Sequence, residues 1–139
     1  MQTDVSTFAG RKMDMSFRDY DYLQSHGYSD DLQLTQLDLD LAFAGANAKK
    51  IGNYIVEEHF QGNVLHRKVG QADKQPLKDR LATYFGSRYT RFRYKFAGSA
   101  QAAYDQECRD YHHFDGRSDN ENHPDTLDGT KLTCPHRIG

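Results

Sequence analysis

The sequence predicts a small α/β sandwich, in which a three-stranded antiparallel sheet is flanked by helices and preceded by an N-terminal extension. Two β-rich runs meet at a glycine corner, and a proline-led amphipathic segment, a strictly alternating run and a second amphipathic segment follow. This order of strand, strand, helix, strand and helix is typical of folds in which helices cover a sheet. With 139 residues, the chain is long enough for one hydrophobic core.

The first two strands are predicted to form a hairpin. The runs "KIGNYIVEE" (residues 50–58) and "NVLHRKVG" (residues 63–70) are rich in residues that favour strands, and "HFQG" between them places Gly62 in the turn. Because so short a turn joins them, the two strands pair antiparallel, and Gly70 ends the second one.

The next segment, "DKQPLKDRLATYFG" (residues 73–86), predicts a helix. Asp73 or Gln75 suits the N-cap, Pro76 is tolerated in the first turn, and Gly86 ends the helix. Its apolar stripe consists of Leu77, Leu81, Tyr84 and Phe85.

The run "TRFRYKFAG" (residues 90–98) predicts a third strand with one dry and one cationic face, because aromatic and basic residues alternate. The dry face comprises Phe92, Tyr94 and Phe96, and the cationic face comprises Arg91, Arg93 and Lys95. The last helix is predicted over "SAQAAYDQECRDYHHF" (residues 99–114), with Ser99 as its N-cap.

The chain divides at residue 48. Residues 49–139 are predicted as the domain, with a loop-rich tail from Asp115, whereas residues 1–48 form an extension whose structure the sequence leaves open. Alternating apolar residues at positions 37, 39, 41 and 43 fit a strand, whereas Leu34, Leu37 and Leu41 fit one face of a helix.

The charges are unevenly distributed. The net charge is −2, yet residues 49–95 carry eleven Lys or Arg against four Asp or Glu. A basic middle between acidic ends indicates a surface that binds DNA phosphates, although such a run can also be only solvated surface. The candidate DNA contacts are Lys74, Lys78, Arg91, Arg93 and Lys95. The absence of a long apolar run and of a disulfide framework predicts a cytoplasmic protein without a membrane partner.

Glu107 lies at the centre of the apolar stripe of the last helix. An ionised carboxylate there is costly unless a positive charge faces it. Two interpretations stay open: Glu107 binds a metal ion, or it forms a structural ion pair with Arg80.

The order of these motifs resembles that of the GIY-YIG nucleases over roughly residues 50–122. The two signature tripeptides correspond to "GNY" (residues 52–54) and "KVG" (residues 68–70), where Asn53 replaces the usual isoleucine and Lys68 the second tyrosine. The later motifs are an arginine with a tyrosine four residues on, a glutamate and an asparagine. They correspond to Arg80, Tyr84, Glu107 and Asn120.

The resemblance implies a metal-dependent DNA endonuclease that leaves 5′-phosphate and 3′-hydroxyl ends. Tyr54 would be the general base, assisted by Lys68, and Arg80 would stabilise the phosphoryl oxygens. Glu107 would hold one Mg²⁺ or Mn²⁺ ion.

The resemblance also implies that Tyr84 contacts the scissile phosphate and that Asn120 orients the site. Because Lys68 replaces a tyrosine that normally lies in the active site, a DNA-binding module that has lost catalysis is the alternative function. The pattern leaves open whether the protein is a monomer or a homodimer.

Two other sites compete for the histidine-rich tail. An HNH-type nuclease would use His112, His113, Asn120 and His123, but the seven-residue step from His113 to Asn120 is short for the hairpin of that motif. A structural zinc site would use Cys108, His112, Cys134 and His136.

Overall fold

The computed structural model describes residues 17–120 of the chain. Its α-helices are α1 (Phe17–Ser25), α2 (Gln36–Ala42), α3 (Leu77–Ala82) and α4 (Ala100–His113), and a 3-10 turn covers Gly45–Lys49. Its strands are β1 (Leu32–Gln33), β2 (Gly52–Phe60), β3 (Asn63–Ala72) and β4 (Arg91–Phe96).

The strands form one antiparallel sheet in the order β1-β4-β2-β3. The predicted hairpin of β2 and β3 and the third strand, β4, are confirmed, and β2 lies in the middle. The predicted count of three strands is wrong, because β1 pairs with the outer edge of β4. This strand was missed because two residues are too few for an alternating pattern.

Short chain segments pair with the two long outer strands, β4 and β3. Besides β1, Ser29 pairs with β4, because its N–H donates to the Tyr94 carbonyl at 2.9 Å. On the outer side of β3, the N–H of Asp119 donates to the Arg67 carbonyl at 2.6 Å. At these positions, backbone groups of β4 and β3 therefore have partners within the chain.

Each face of the sheet has its own hydrophobic core. The α3 face carries Tyr54, Val56 and Phe92, which pack against α2 and α3. The α4 face carries Ile55 and Val69, which pack with α1, α4 and the residue after α4, Phe114.

The described part of the predicted extension, residues 17–48, packs on this sheet. Leu23 of α1, Leu39 of α2 and Phe43, directly after α2, are completely buried. Residues 36–42 are a helix, capped by Thr35, whose Oγ1 accepts from the Asp38 N–H. The helical alternative is therefore the correct one.

Helix α3 is shorter than predicted. It ends at Ala82, and the N–H groups of Tyr84 and Phe85 bond to carbonyls three residues back before Gly86 takes a φ of 80°. Pro76 occupies the N-cap position without a side-chain bond, so neither predicted capping residue is used.

Helix α4 begins where the sequence predicts. The Ser99 Oγ accepts from the N–H of Ala102 at 3.1 Å, which confirms the predicted cap. None of the helices within residues 17–120 is both long and apolar enough to cross a membrane.

Candidate active site

The glycines of the two tripeptides are required by the packing of Tyr54. Gly70 lies opposite Tyr54 across β2 and β3, and a Cβ atom on Gly70 would come within 2.2 Å of the Tyr54 hydroxyl oxygen. A Cβ atom on Gly52 would come within 2.1 Å of the Lys95 carbonyl oxygen. Only glycine leaves room for the phenol to cross β3 and for β4 to pair closely.

The Tyr54 hydroxyl lies between two donors. Tyr84 Oη is 2.8 Å away, and Arg80 Nε donates to Tyr54 Oη at 3.4 Å. Burial and the neighbouring Tyr54 raise the pKa of Tyr84 well above its ordinary value, so Tyr84 stays protonated and suits the donor role. The Tyr54 oxygen therefore faces two hydrogen-bond donors.

Lys68 adds a third cationic or donor group to the same cluster. It pairs with Val56 and lies two residues before Gly70, so it projects from the α3 face of the sheet, as Tyr54 does. Its Nζ lies 5.9 Å from the ring centroid of Tyr84. The sequence-predicted base and its two cations therefore come together.

Glu107 approaches this cluster from α4. Burial and the nearby Asp110 raise its pKa to about 7, while Arg80 and Lys68 oppose that rise through their positive charges. Glu107 has no hydrogen bond or ion pair to any of residues 17–120, so the alternative of a contact ion pair with Arg80 is not formed there. Its carboxylate is therefore close to two cations but bound to neither.

Asp110 is an acidic residue that the sequence interpretation missed. It is fully buried and accepts from Tyr22 Oη at 2.7 Å, from Gln106 Nε2 at 2.9 Å and from Tyr28 Oη. Burial raises its pKa to about 6, although these donors oppose the rise. The network ties α1 to α4, and its charge contributes to the raised pKa of Glu107.

Asn120 is bound to the outer edge of β3, the edge that does not pair with β2. Its Nδ2 donates to the Val69 carbonyl and its Oδ1 accepts from the Val69 N–H, both at 3.0 Å. The amide thus imitates the pairing of a further strand. Because Val69 lies between Lys68 and Gly70, Asn120 fixes the strand that carries both.

Glu107 is the one metal ligand that the sequence predicts in this cluster. Within residues 17–120, no three or more His, Cys, Asp or Glu side chains are grouped so that they could hold a metal ion. A single carboxylate is compatible with Mg²⁺ or Mn²⁺, which keep several water and phosphate ligands, so a metal at Glu107 stays a prediction. For the zinc alternative, Cys108 is buried, and Cys134 and His136 lie outside the described residues.

The cationic face of β4 is not brought to this cluster. Arg91, Arg93 and Lys95 pair with Glu57, Ile55 and Asn53 of β2, which places them on the α4 face, opposite Tyr54. Arg91 forms an ion pair with Asp31, Arg93 is only 6% exposed, and Lys95 Nζ donates to Gln106 Oε1 at 3.0 Å. The expected open face is therefore covered, and a role of these residues in DNA binding stays a prediction that needs these contacts to open.

The two lysines predicted as DNA contacts differ in their surroundings. Lys74 is exposed, directly after the end of β3. Lys78 on α3 forms an ion pair with Asp40 at 2.9 Å. The exposed Asp40 is a weak competitor, because surface ion pairs of this kind stabilise little.

A second polar cluster, missed in the sequence, adjoins the first. The ring of Tyr89 packs edge-on against Tyr84 with centroids 5.7 Å apart, and its hydroxyl donates to Asp119. Asp119 Oδ1 also lies 3.1 Å from His66 Nδ1. The alternation of β3 could have indicated His66, which shares a face with Lys68, but nothing local marks Tyr89 or Asp119.

Comparison of the chain with protein-family models, with curated proteins and with solved structures found no match.

For the HNH alternative, His112 and His113 lie at the end of α4, and His123 lies outside the described residues. His113 Nε2 bonds to Asp19 Oδ1 at 2.8 Å and its ring stacks on Tyr22, so its partners come from α1. Asn120 is instead bound to β3. The structure therefore does not bring His113 and Asn120 into one site.

Proposed function

We propose that the protein is a metal-dependent DNA endonuclease of the GIY-YIG type, which hydrolyses phosphodiester bonds to 5′-phosphate and 3′-hydroxyl ends. One observation carries the proposal: Tyr54, Tyr84 and Arg80, from β2, the turn after α3 and α3 itself, meet within hydrogen-bond distance. Lys68 of β3 and Glu107 of α4 lie close enough to influence each other's charge.

Tyr54 acts as the general base in this proposal. Tyrosine is ordinarily a weak base at neutral pH, because its hydroxyl is almost entirely protonated. In this proposal Tyr84 and Arg80 hold the Tyr54 oxygen by hydrogen bonds, and Lys68 lies beside the ring of Tyr84. The proton of an attacking water then passes to the Tyr54 oxygen.

Arg80 binds the scissile phosphate, and Tyr84, whose single O–H is donated to Tyr54, lies beside it. The guanidinium has five N–H donors and uses Nε for Tyr54, which leaves the terminal nitrogens for two phosphoryl oxygens. In the transition state these oxygens gain negative charge, and a fixed cation beside them lowers the barrier.

Glu107 would hold the metal ion, and Asn120 positions β3. When bound, Mg²⁺ or Mn²⁺ would supply Lewis-acid stabilisation of the departing 3′ oxygen. The raised pKa of Glu107 means that its carboxylate becomes fully available for a cation only above about pH 7. Asn120 touches no reacting atom in this scheme and acts through its two bonds to Val69.

Nicking of supercoiled plasmid DNA tests the proposal. Wild-type protein with Mg²⁺ is expected to nick, EDTA to stop the reaction, and Tyr54→Phe to reduce the rate by about 10² to 10⁴. Tyr20→Phe is the matched control, because Tyr20 is an exposed tyrosine on α1. Wild-type rates from Tyr54→Phe, or equal loss from Tyr20→Phe, would remove the assignment.

A DNA-binding module without catalysis is the second candidate, and Lys68 is the observation that favours it. A lysine ammonium binds phosphate well but lacks the phenol of the family's second tyrosine. Gel-shift binding in EDTA, compared with nicking in Mg²⁺, separates the two functions. Binding without any metal-dependent nicking would favour the module.

A further inference from the structure

Arg88 and His66 form a pair of basic side chains beside the candidate active site. His66 lies on β3 two residues before Lys68, on the same face of the sheet. Arg88 lies in the segment between α3 and β4 and reaches across to it. The rings of Tyr84 and Tyr89 pack against each other between this pair and Tyr54.

The orientation of His66 is set from one side. Asp119 Oδ1 lies 3.1 Å from Nδ1, and Asp119 is itself held by the Tyr89 hydroxyl and by its backbone bond to Arg67. With the proton on Nδ1 donated to Asp119, the Nε2 atom is left to face Arg88 and, at 3.9 Å, a carboxylate oxygen of Glu58.

The contact of Arg88 with this imidazole is not a well-aligned hydrogen bond. Its Nη1 lies 2.9 Å from Nδ1 and 3.0 Å from Nε2, so one donor nitrogen is nearly equidistant from two ring atoms. Arg88 is exposed, and no carboxylate among residues 17–120 lies within 4.0 Å of its guanidinium. Most of its donors are therefore available to an incoming anion.

We propose that Arg88 and His66 bind a phosphate of the DNA strand adjacent to the scissile phosphate, a subsite that rests on the proposed nuclease function. His66 and Lys68 are two residues apart along β3, which corresponds to roughly 6.6 Å of strand. Phosphates of one DNA strand rise by roughly 3.4 Å each along the helix axis. A DNA strand with one phosphate beside Lys68 in the candidate active site thus places a phosphate one or two steps away beside His66 and Arg88.

The subsite also defines the path of the DNA strand across the protein. The DNA strand lies along β3, between the end near Gly70 and the end near His66. The aromatic edges of Tyr84 and Tyr89 form the surface between the two phosphates. Arg88 swings from the imidazole onto the phosphate, and His66 in its imidazolium form donates the Nε2–H to the same oxygen while Nδ1–H stays on Asp119.

The experiment measures kcat/KM on duplex oligonucleotides that carry a single uncharged methylphosphonate linkage, moved through the two steps on either side of the cleaved bond. Arg88→Gln is expected to lose about 10- to 100-fold on the unmodified duplex, as for a charged hydrogen bond. At one linkage position, the modification is expected to reduce kcat/KM of wild type by a similar factor and to leave kcat/KM of Arg88→Gln unchanged. The same linkage position is expected to be the one at which the modification no longer affects His66→Gln.

Arg109→Gln is the matched control, since Arg109 is an exposed arginine on α4. Thermal melting of every variant identifies a loss that comes only from unfolding. The subsite is overturned if Arg88→Gln cleaves the unmodified duplex as well as wild type, or if its deficit persists at every modified position. If wild type cleaves none of the duplexes, the proposed function itself fails, which is a different outcome.

Discussion

Replacing Glu107 with glutamine is expected to abolish metal-dependent cleavage while making the folded protein more stable at pH 8. The carboxyl is mostly removed from water, beside the buried Asp110, and this environment raises its pKa from 4.5 to about 7. Its ionised form therefore opposes folding. If Glu107 formed an ion pair with Arg80, the same substitution would instead destabilise the fold, because it would leave an unpaired buried cation.

The magnitude follows from the pKa. A carboxyl whose pKa rises from 4.5 to about 7 destabilises the fold by about 3 kcal/mol once it is ionised. Because Glu107 keeps part of its surface in solvent, solvent screening reduces this figure to about 2 kcal/mol. For a domain of this size, that difference raises Tm by roughly 5 to 10 °C.

The sign of the pH dependence is fixed by the direction of the pKa shift. A group whose pKa is higher in the folded state stabilises fully below its unfolded pKa and loses that contribution as the pH rises through the folded value. Glu107 thus lowers the free energy of unfolding very little near pH 4.5 and most strongly above about pH 7. The gain from Glu107→Gln should be near zero at pH 4.5 and complete at pH 8.

The assay is thermal denaturation followed by circular dichroism at both pH values, with EDTA present so that no cation stabilises wild type. Asp105→Asn is the control, since Asp105 lies on the same helix and is partly exposed. The same preparations are tested for nicking with Mg²⁺. A Glu107→Gln variant that melts earlier than wild type at pH 8, or that still cuts, would refute the reasoning.

Three further predictions concern other residues of the candidate active site. Gly70→Ala is expected to displace the Tyr54 phenol, since the added Cβ would lie 2.2 Å from its oxygen, and to reduce cleavage at least 100-fold in the nicking assay. Asn120→Ala removes two bonds to Val69 and is expected to cost about 1 to 3 kcal/mol in urea denaturation; an unchanged midpoint would contradict its bridging role. Lys68→Met and Tyr54→Phe are expected to lose similar factors in rate, with a double variant little worse than either, whereas multiplying losses would show independent roles.

The central part of the fold could be predicted because its signals are local. The two-residue period of a strand, the glycine of a turn and the serine cap of a helix each depend on only a few adjacent residues. The predicted hairpin and the Ser99 cap are confirmed. The meeting of Tyr54 with Arg80 was expected from a different source, the order of motifs that resembles the GIY-YIG nucleases, because no local pattern places the two side chains together.

The surroundings of β4 could not be predicted, because they depend on a segment without clear periodicity. Alternation correctly separates the aromatic from the basic face, but only tertiary contacts decide which face is covered. Asp31, which precedes β1, pairs with Arg91 and approaches Arg93, so a stripe expected to face solvent became part of a packed layer. Similarly, Leu37 and Leu41 are exposed on α2 although both fit its expected apolar stripe.

The short segments beside β4 and β3 limit how this domain can meet other macromolecules. Proteins with a long open edge can accept an extended peptide as an additional strand or stack edge to edge with a second copy. Here β1 and Ser29 pair with β4, and Asp119 and Asn120 bond to β3 at Arg67 and Val69. The two long outer strands therefore offer a partner less continuous backbone, and a chain shortened to end before Asp119 would free the backbone groups of Arg67 and Val69.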